Sequence, residues 1–178
     1  MRALTRLLKR PERAHVAAQR IFPPATLATI CSLIADGAAR HRADIRIIID
    51  TAACSATRSA HASPQVHEQK PVRHPARARA TQLFAEHRIW DTEQNCGVLL
   101  YINLTNRRVE IVADRDVNRA LSPADWRKVC DLLTEGFQRG QFADSVIAAL
   151  HVLHELLQMH YPTKTAHRDD GAHTTVIV

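Results

Sequence analysis

The chain has little glycine, few aromatic residues and no paired cysteines, and each shortage closes off a class of function. With five glycines in 178 residues, there is little material for a phosphate cradle of backbone amides. No Gly-rich loop, nucleophile elbow or Ser-His-Asp order is visible. The four cysteines, Cys31, Cys54, Cys96 and Cys130, include no C-x-x-C pair. Neither a zinc site nor a thioredoxin-like motif is supported, and scattered thiols of this kind fit a reducing compartment. Aromatic residues are 4% of the chain, so the core must be built from Leu, Ile, Val and Ala. No run approaches the roughly 18 apolar residues of a membrane span. Residues 1–20 lack an apolar core of secretory length.

Basic charge is plentiful but uneven. Residues 1–80 carry 14 Lys and Arg against 5 Asp and Glu, whereas residues 81–178 carry 10 against 13. The flank is therefore basic and the second half mildly acidic. A basic flank suits an anionic membrane surface or nucleic acid, or simply keeps the chain soluble. Arg2, Arg6, Lys9, Arg10 and Arg13 surround a short stripe of Leu4, Leu7 and Leu8, which reads as a basic amphipathic segment able to lie on a bilayer. Nucleic acid ranks last as a partner, because the arginines of residues 51–80 have no aromatic interleaving. These features fit a cytoplasmic protein peripheral to a membrane. They leave the oligomeric state open.

The most informative stretch is Cys96–Asp114. Val98–Leu104 is almost continuously apolar, as a strand covered on both faces must be. Arg108–Val112 alternates, and it belongs near an edge. Thr105-Asn106 between them predicts a tight turn, with Asn taking the positive φ, and hence an antiparallel hairpin. Upstream, Leu27, Ile30, Ile34 and Ala38 predict a helix after Pro23-Pro24, and Ile45–Asp50 predicts a strand. Residues 51–76, with three prolines and no period, read as a mobile loop. Its histidines, His61, His67 and His74, read as solvated. Helices follow over about 78–88, from a capping box at Ser122-Pro123-Ala124-Asp125, and over 142–159. Residues 1–21 and 162–178 read as a basic segment and a loose tail, with Val176-Ile177-Val178 able to pair with a strand. The domain is then 22–161, an α/β fold.

Two constellations bear on chemistry. His154-Glu155-Leu156-Leu157-Gln158 resembles the H-E-x-x-H zinc signature, but Gln158 replaces the second imidazole. The helical wheel places His151, His154, Glu155 and Gln158 on an exposed face. The second is acidic: Asp91 and Glu93 precede one hairpin strand, and Asp114 and Asp116 follow the other. Antiparallel pairing brings these loops to one end of the sheet, where oxygen ligands could hold Ca2+ or Mg2+. Arg88 or Arg115 between the acids would instead make an ion-pair network.

The residues Asn95-Cys96-Gly97-Val98-Leu99-Leu100, Arg108-Val109-Glu110-Ile111, Leu121-Ser122 and Phe137-Gln138-Arg139-Gly140 resemble the TPM-domain family over Phe22–Tyr161. That family is named for plant thylakoid repair proteins and a nematode receptor modulator. Arg88–Glu93 is similar to a short bacterial form of it. The resemblance implies a three-layer α/β/α sandwich around a small mixed sheet containing a central β-hairpin. It also implies either a role in membrane-complex assembly, divalent-cation binding or acid phosphatase activity. For such a phosphatase the acidic loops of this chain, rather than the resemblance, offer Asp91, Asp114 and Asp116 for the metal and Arg115 for the phosphate. The chain departs from the family where many members carry a Glu and an Asp: Asn118 and Pro123 stand there.

Overall fold

The computed structural model describes residues 16, 18–52, 75–163 and 175–177. In chain order the elements are α1 (Pro24–Ala38), β1 (Asp44–Asp50), α2 (Pro75–Glu86), β2 (Gly97–Asn103), β3 (Arg108–Ala113), α3 (Arg115–Ala120), α4 (Pro123–Gln138), α5 (Phe142–His160) and β4 (Thr175–Ile177). The sheet has four strands in the order β3-β2-β1-β4. β1 runs parallel to both β2 and β4, while β2 and β3 are antiparallel. β2 is internal and β3 lies at an edge, as its alternating pattern implied.

Strand alternation sorts the core into two halves. Ile45, Ile47 and Ile49 of β1, with Val98, Leu100 and Ile102 of β2, join one cluster with Ile30 and Ile34 of α1, Val129 and Leu133 of α4, and the Leu150/Leu153/Leu157 stripe of α5. Ile48, Leu99, Tyr101 and Val112 point to the opposite face, where Ala76, Ala80 and Leu83 of α2 cover them with Ile89. The result is helix, sheet and helix in three layers, the α/β/α arrangement.

Local chemistry sets the boundaries. Ser122 accepts from the Asp125 amide while the Asp125 carboxylate accepts from the Ser122 amide, the expected capping box, with Pro123 in the first turn. Gly136 lies inside the last turn of α4. It is buried inside that helix, and a Cβ there would stand 2.1 Å from Cβ of Ser145, so it is the close crossing point of α4 on α5. The turn falls to Gly140, whose φ is +75°. In the hairpin, Asn103 Oδ1 accepts from the Asn106 amide at 2.7 Å. The left-handed residue is Arg107, at φ 49°, not Asn106 as the sequence suggests. The stretch beginning at Arg115, expected as loop, forms the short helix α3, capped by Asp114. Thr175–Ile177 pairs with β1 as a fourth strand. Residues 1–15 and 53–74, with the basic amphipathic stretch and the three loop histidines, lie outside the described residues.

His154 is a correction. It was expected on an exposed face but is fully buried. Its Nδ1 lies 2.8 Å from Nε2 of His41, and the rings stack at 5.1 Å. The physical reason is Gly37 on α1. A Cβ there would lie 2.0 Å from Cε1 of His154, so only glycine leaves room for the ring. Helix α5 is thus covered over a wider arc than its leucine stripe indicates.

Burial, with the nearby charges of Arg40 and His151, holds the His154 pKa down at about 4, against 6.5 for a free imidazole, although Asp36 and the Leu33 carbonyl favour its charge. Burial disfavours the charged ring most. The folded chain therefore binds this proton less tightly than the unfolded chain. Stability is complete above the unfolded value and is lost as pH falls through the folded one, at up to about 1.4 kcal/mol per pH unit. Urea denaturation between about pH 7 and pH 4.5 will show this slope, and His154→Met will remove its share. An unchanged slope in the variant would show that His154 is not the titrating group. Gly37→Ala should cost about 1–3 kcal/mol by overpacking the same ring.

Candidate functional site

The acidic end of the sheet is where the sequence pointed. Asp114 donates its amide to the Gly97 carbonyl at 2.8 Å, and Val98 stands opposite Ala113. The loop before β2 and the segment after β3 therefore share one end of the sheet. The four acids have separate surroundings there. Asp114 Oδ1 accepts from the Arg115 amide at 2.8 Å, as the cap of α3. Asp116 stands 3.5 Å from Arg119. Arg119, rather than Arg88 or Arg115, is thus the cation that pairs with an acid here, and Arg115 contributes its backbone. Asp91 and Glu93 are both exposed. Among the described residues no group of three or more His, Cys, Asp or Glu is placed to hold a metal ion.

This end is nevertheless polar beneath its surface. Oδ2 of Asp114 is buried and has no hydrogen-bond partner. The Tyr161 phenol nearby is pushed up by burial first, then by Asp116, Cys96 and Asp114, against the opposing charge of Arg42. The Cys96 thiol donates to the Arg42 carbonyl at 3.2 Å, and its amide donates to the Thr92 hydroxyl oxygen at 2.9 Å. Burial raises its thiol above the ordinary range, which disfavours the thiolate. Gly97 belongs to this packing: a Cβ there would meet the Ile89 carbonyl at 1.9 Å, so β2 can pass under the Ile89 turn only with glycine.

A second polar centre sits at the opposite end, beyond the carboxyl ends of β1 and β2, where open α/β sheets place ligands. Asp50, 1% exposed, accepts from the Ala52 amide at 2.7 Å and from the Tyr101 hydroxyl at 2.9 Å. Arg79 of α2 lies 3.5 Å from the same carboxylate and 3.8 Å from Glu86. Asn103 donates to the Ala52 carbonyl at 2.8 Å and to the Tyr101 oxygen at 3.0 Å. The register explains the meeting, because Asp50 pairs with Asn103 and Ile48 with Tyr101. A buried carboxylate with this many partners is a fixed polar anchor. It leaves no open face to attack a substrate.

The sequence reading missed this centre. Its signal was present: Asp50 and Asn103 end two runs that are otherwise apolar, and Tyr101 sits inside one. Arg79 gave no signal, since only the fold brings α2 over Asp50. Tyr101→Phe deletes one donor and leaves Asp50 short of a partner. It should cost about 1–3 kcal/mol in chemical denaturation and speed hydrogen exchange at Ala52. Unchanged stability and exchange would show that the hydroxyl is dispensable.

The family model for the TPM domain matches residues 18–156. The fold is similar to the NMR structure of the BA42 protein from the psychrophilic bacterium Bizionia argentinensis, at a TM-score of 0.70 and 17% identity, covering 88% of this chain and 95% of that one. At that identity the likeness shows the fold alone. No curated protein matches. The matched span covers the Asp50 centre, the acidic end apart from Tyr161, the buried β2 strand and most of α5, and the chain belongs to the TPM-domain family.

Proposed function

We propose that this chain is a non-enzymatic interaction module working at the cytoplasmic face of a membrane. The observation that carries the non-enzymatic part lies at the two positions where many family members bring a carboxylate. Asn118 donates its side-chain amide to the Ala113 carbonyl at 2.7 Å, so it seals backbone. Pro123 is the first residue of α4. Both positions have structural tasks, and Asp114 and Asp116 are spent on a cap and an ion pair. The membrane part rests on Arg2, Arg6, Lys9, Arg10 and Arg13. Each basic residue near an anionic surface contributes about 1 kcal/mol. No helix among the described residues is long and apolar enough to cross a membrane, so contact would be peripheral.

One observation favours the other reading, a phosphatase dependent on Ca2+ or Mg2+. The unpartnered Oδ2 of Asp114 lies in the neighbourhood of Asp116 and Tyr161. These residues do not form a ready-made cage, so a cation there would have to draw Asp91 or Glu93 inward and compete with Arg119. A bound cation would supply an activated water or a clamp on phosphate oxygens.

Two measurements on the purified chain separate the readings. In co-sedimentation with anionic vesicles at low salt, the full chain should pellet. Replacing the five basic residues by Gln should release it. No pelleting by either form would end the membrane proposal. Hydrolysis of a generic phosphomonoester with added Mg2+ or Ca2+ should be absent. Turnover abolished by Asp116→Asn would overturn the non-enzymatic reading.

A further inference from the structure

β3 is an edge strand, and its hydrogen-bonding groups are unequally covered. Because the Asp114 amide bonds Gly97, the antiparallel pattern turns the backbone groups of residues 108, 110 and 112 toward β2. Those of Val109, Ile111 and Ala113 face the open side. Two of these outward carbonyls are stoppered. Arg77 of α2 donates to Ile111, and Asn118 donates to Ala113 at 2.7 Å. The outward N–H groups of Val109 and Ile111 meet no acceptor among the described residues. A groove of about 210 Å³ runs along this edge, walled by Val109 and Ile111, by Trp126, Cys130 and Leu133 of α4, and by Arg77. The indole Nε1 of Trp126 is buried and unpartnered. The edge shows the Val109 and Ile111 donors and hides two of its three outward acceptors.

The dimensions select the class of ligand. Small-molecule sites occupy roughly 300–1,000 Å³, so this groove of about 210 Å³ suits side chains and not a cofactor. A second copy is a poor occupant, because edge-to-edge pairing would bring Arg77 against the partner's identical guanidinium. Strand alternation at the edge is two-sided. Side chains level with Val109 and Ile111 face α4 and the apolar groove, while those level with Glu110 face Arg77, 3.8 Å from the Glu110 carboxylate.

We propose that the β3 edge captures an extended, acidic segment of a partner protein, which adds to the sheet as a further strand. Its carbonyls accept from the Val109 and Ile111 amides. Apolar side chains at alternate positions enter the groove against Trp126 and Leu133. The acidic residues between them draw Arg77 away from the Ile111 carbonyl and from Glu110, which frees the edge. Arg77 is then both the guard of the unoccupied edge and the specificity contact of the occupied one. This rests on the interaction-module reading and names the chemistry of its partner.

The test is an amide NMR titration of the full chain with the acetylated, amidated peptide TDVDVT. The expected result is saturable shifts at Val109, Ile111 and the Trp126 indole. Arg77→Gln should weaken binding about tenfold, the scale of a lost charge-assisted bond, and Glu110→Gln should tighten it by releasing Arg77. The same peptide N-methylated at alternate amides should not bind. No shifts, equal binding of the N-methylated peptide, or concentration-dependent shifts at these amides without peptide, the mark of a second copy, would each overturn the proposal. Phosphomonoester turnover would overturn the non-enzymatic reading and leave the peptide shifts standing, so the two failures are distinguishable.

Discussion

Every residue of β2 is buried, and most of the architecture follows from that condition. A strand covered on both faces can satisfy its backbone only through strands on both sides, so β2 lies inside the sheet between β1 and β3. Its side chains alternate between two apolar surroundings, and each needs its own helical cover. The Val98/Leu100/Ile102 face takes α1, α4 and α5, and the Leu99/Tyr101 face takes α2. Burying a single such side chain contributes about 1.5–3 kcal/mol, so neither layer is dispensable. Gly97 is the point at which this strand enters, held against the Ile89 carbonyl.

Full burial also decides what polar groups can do. At the carboxyl end of β1 and β2, Asp50, Tyr101 and Asn103 lie under α2, and each buried polar atom needs a partner to offset its lost hydration. They find it in one another, in Ala52 and in Arg79. The network therefore fixes where β1 ends and where the chain leaves the sheet, and also ties α2 to the strands. At the opposite end, Asp114 and Asp116 are half-buried at a helix terminus, where Asp114 caps α3 and Asp116 pairs with Arg119, and the second Asp114 oxygen is left without a partner. An exposed pair of that kind is worth at most about 1 kcal/mol. The buried end of the sheet is the mechanically committed one.

The hairpin, the capping box, the edge character of β3 and the layered fold were legible because each rests on short-range pattern. Val98–Leu104 had no polar residue before Asn103 apart from the Tyr101 hydroxyl, and Ser122-Pro123 is a local signal. The shared end of the two acidic loops was legible too, since it follows from antiparallel pairing alone. What was not legible depends on contacts distant in sequence. His154 is separated from His41 by 113 residues, and only the glycine at position 37 makes the space for it. A helical wheel sees α5 alone, so a histidine beside a leucine stripe reads as exposed until a second helix is laid over it. In the same way the acids could be placed at one end but not assigned their partners, because Arg119 reaches Asp116 only once 115–120 is a helix.

The edge of the sheet brings these constraints together. β4 and β3 are its two outer strands, and an exposed edge invites unplanned pairing unless something covers it. At β3 the cover consists of side chains from two different helices: Arg77 comes from α2, which lies on one face, and Asn118 from α3, which the Asp114 cap creates. Asn118 is held locally, five residues from the carbonyl it seals, and has little freedom to leave. Arg77 reaches from another layer, is half-exposed, and divides its guanidinium between the Ile111 carbonyl and Glu110. One stopper is therefore fixed and the other exchangeable. An exchangeable stopper beside a groove lined by an unpartnered indole donor is the feature on which the proposed capture of a further strand rests. Asn118 contributes the fixed half of that cover and Arg77 the half that can move.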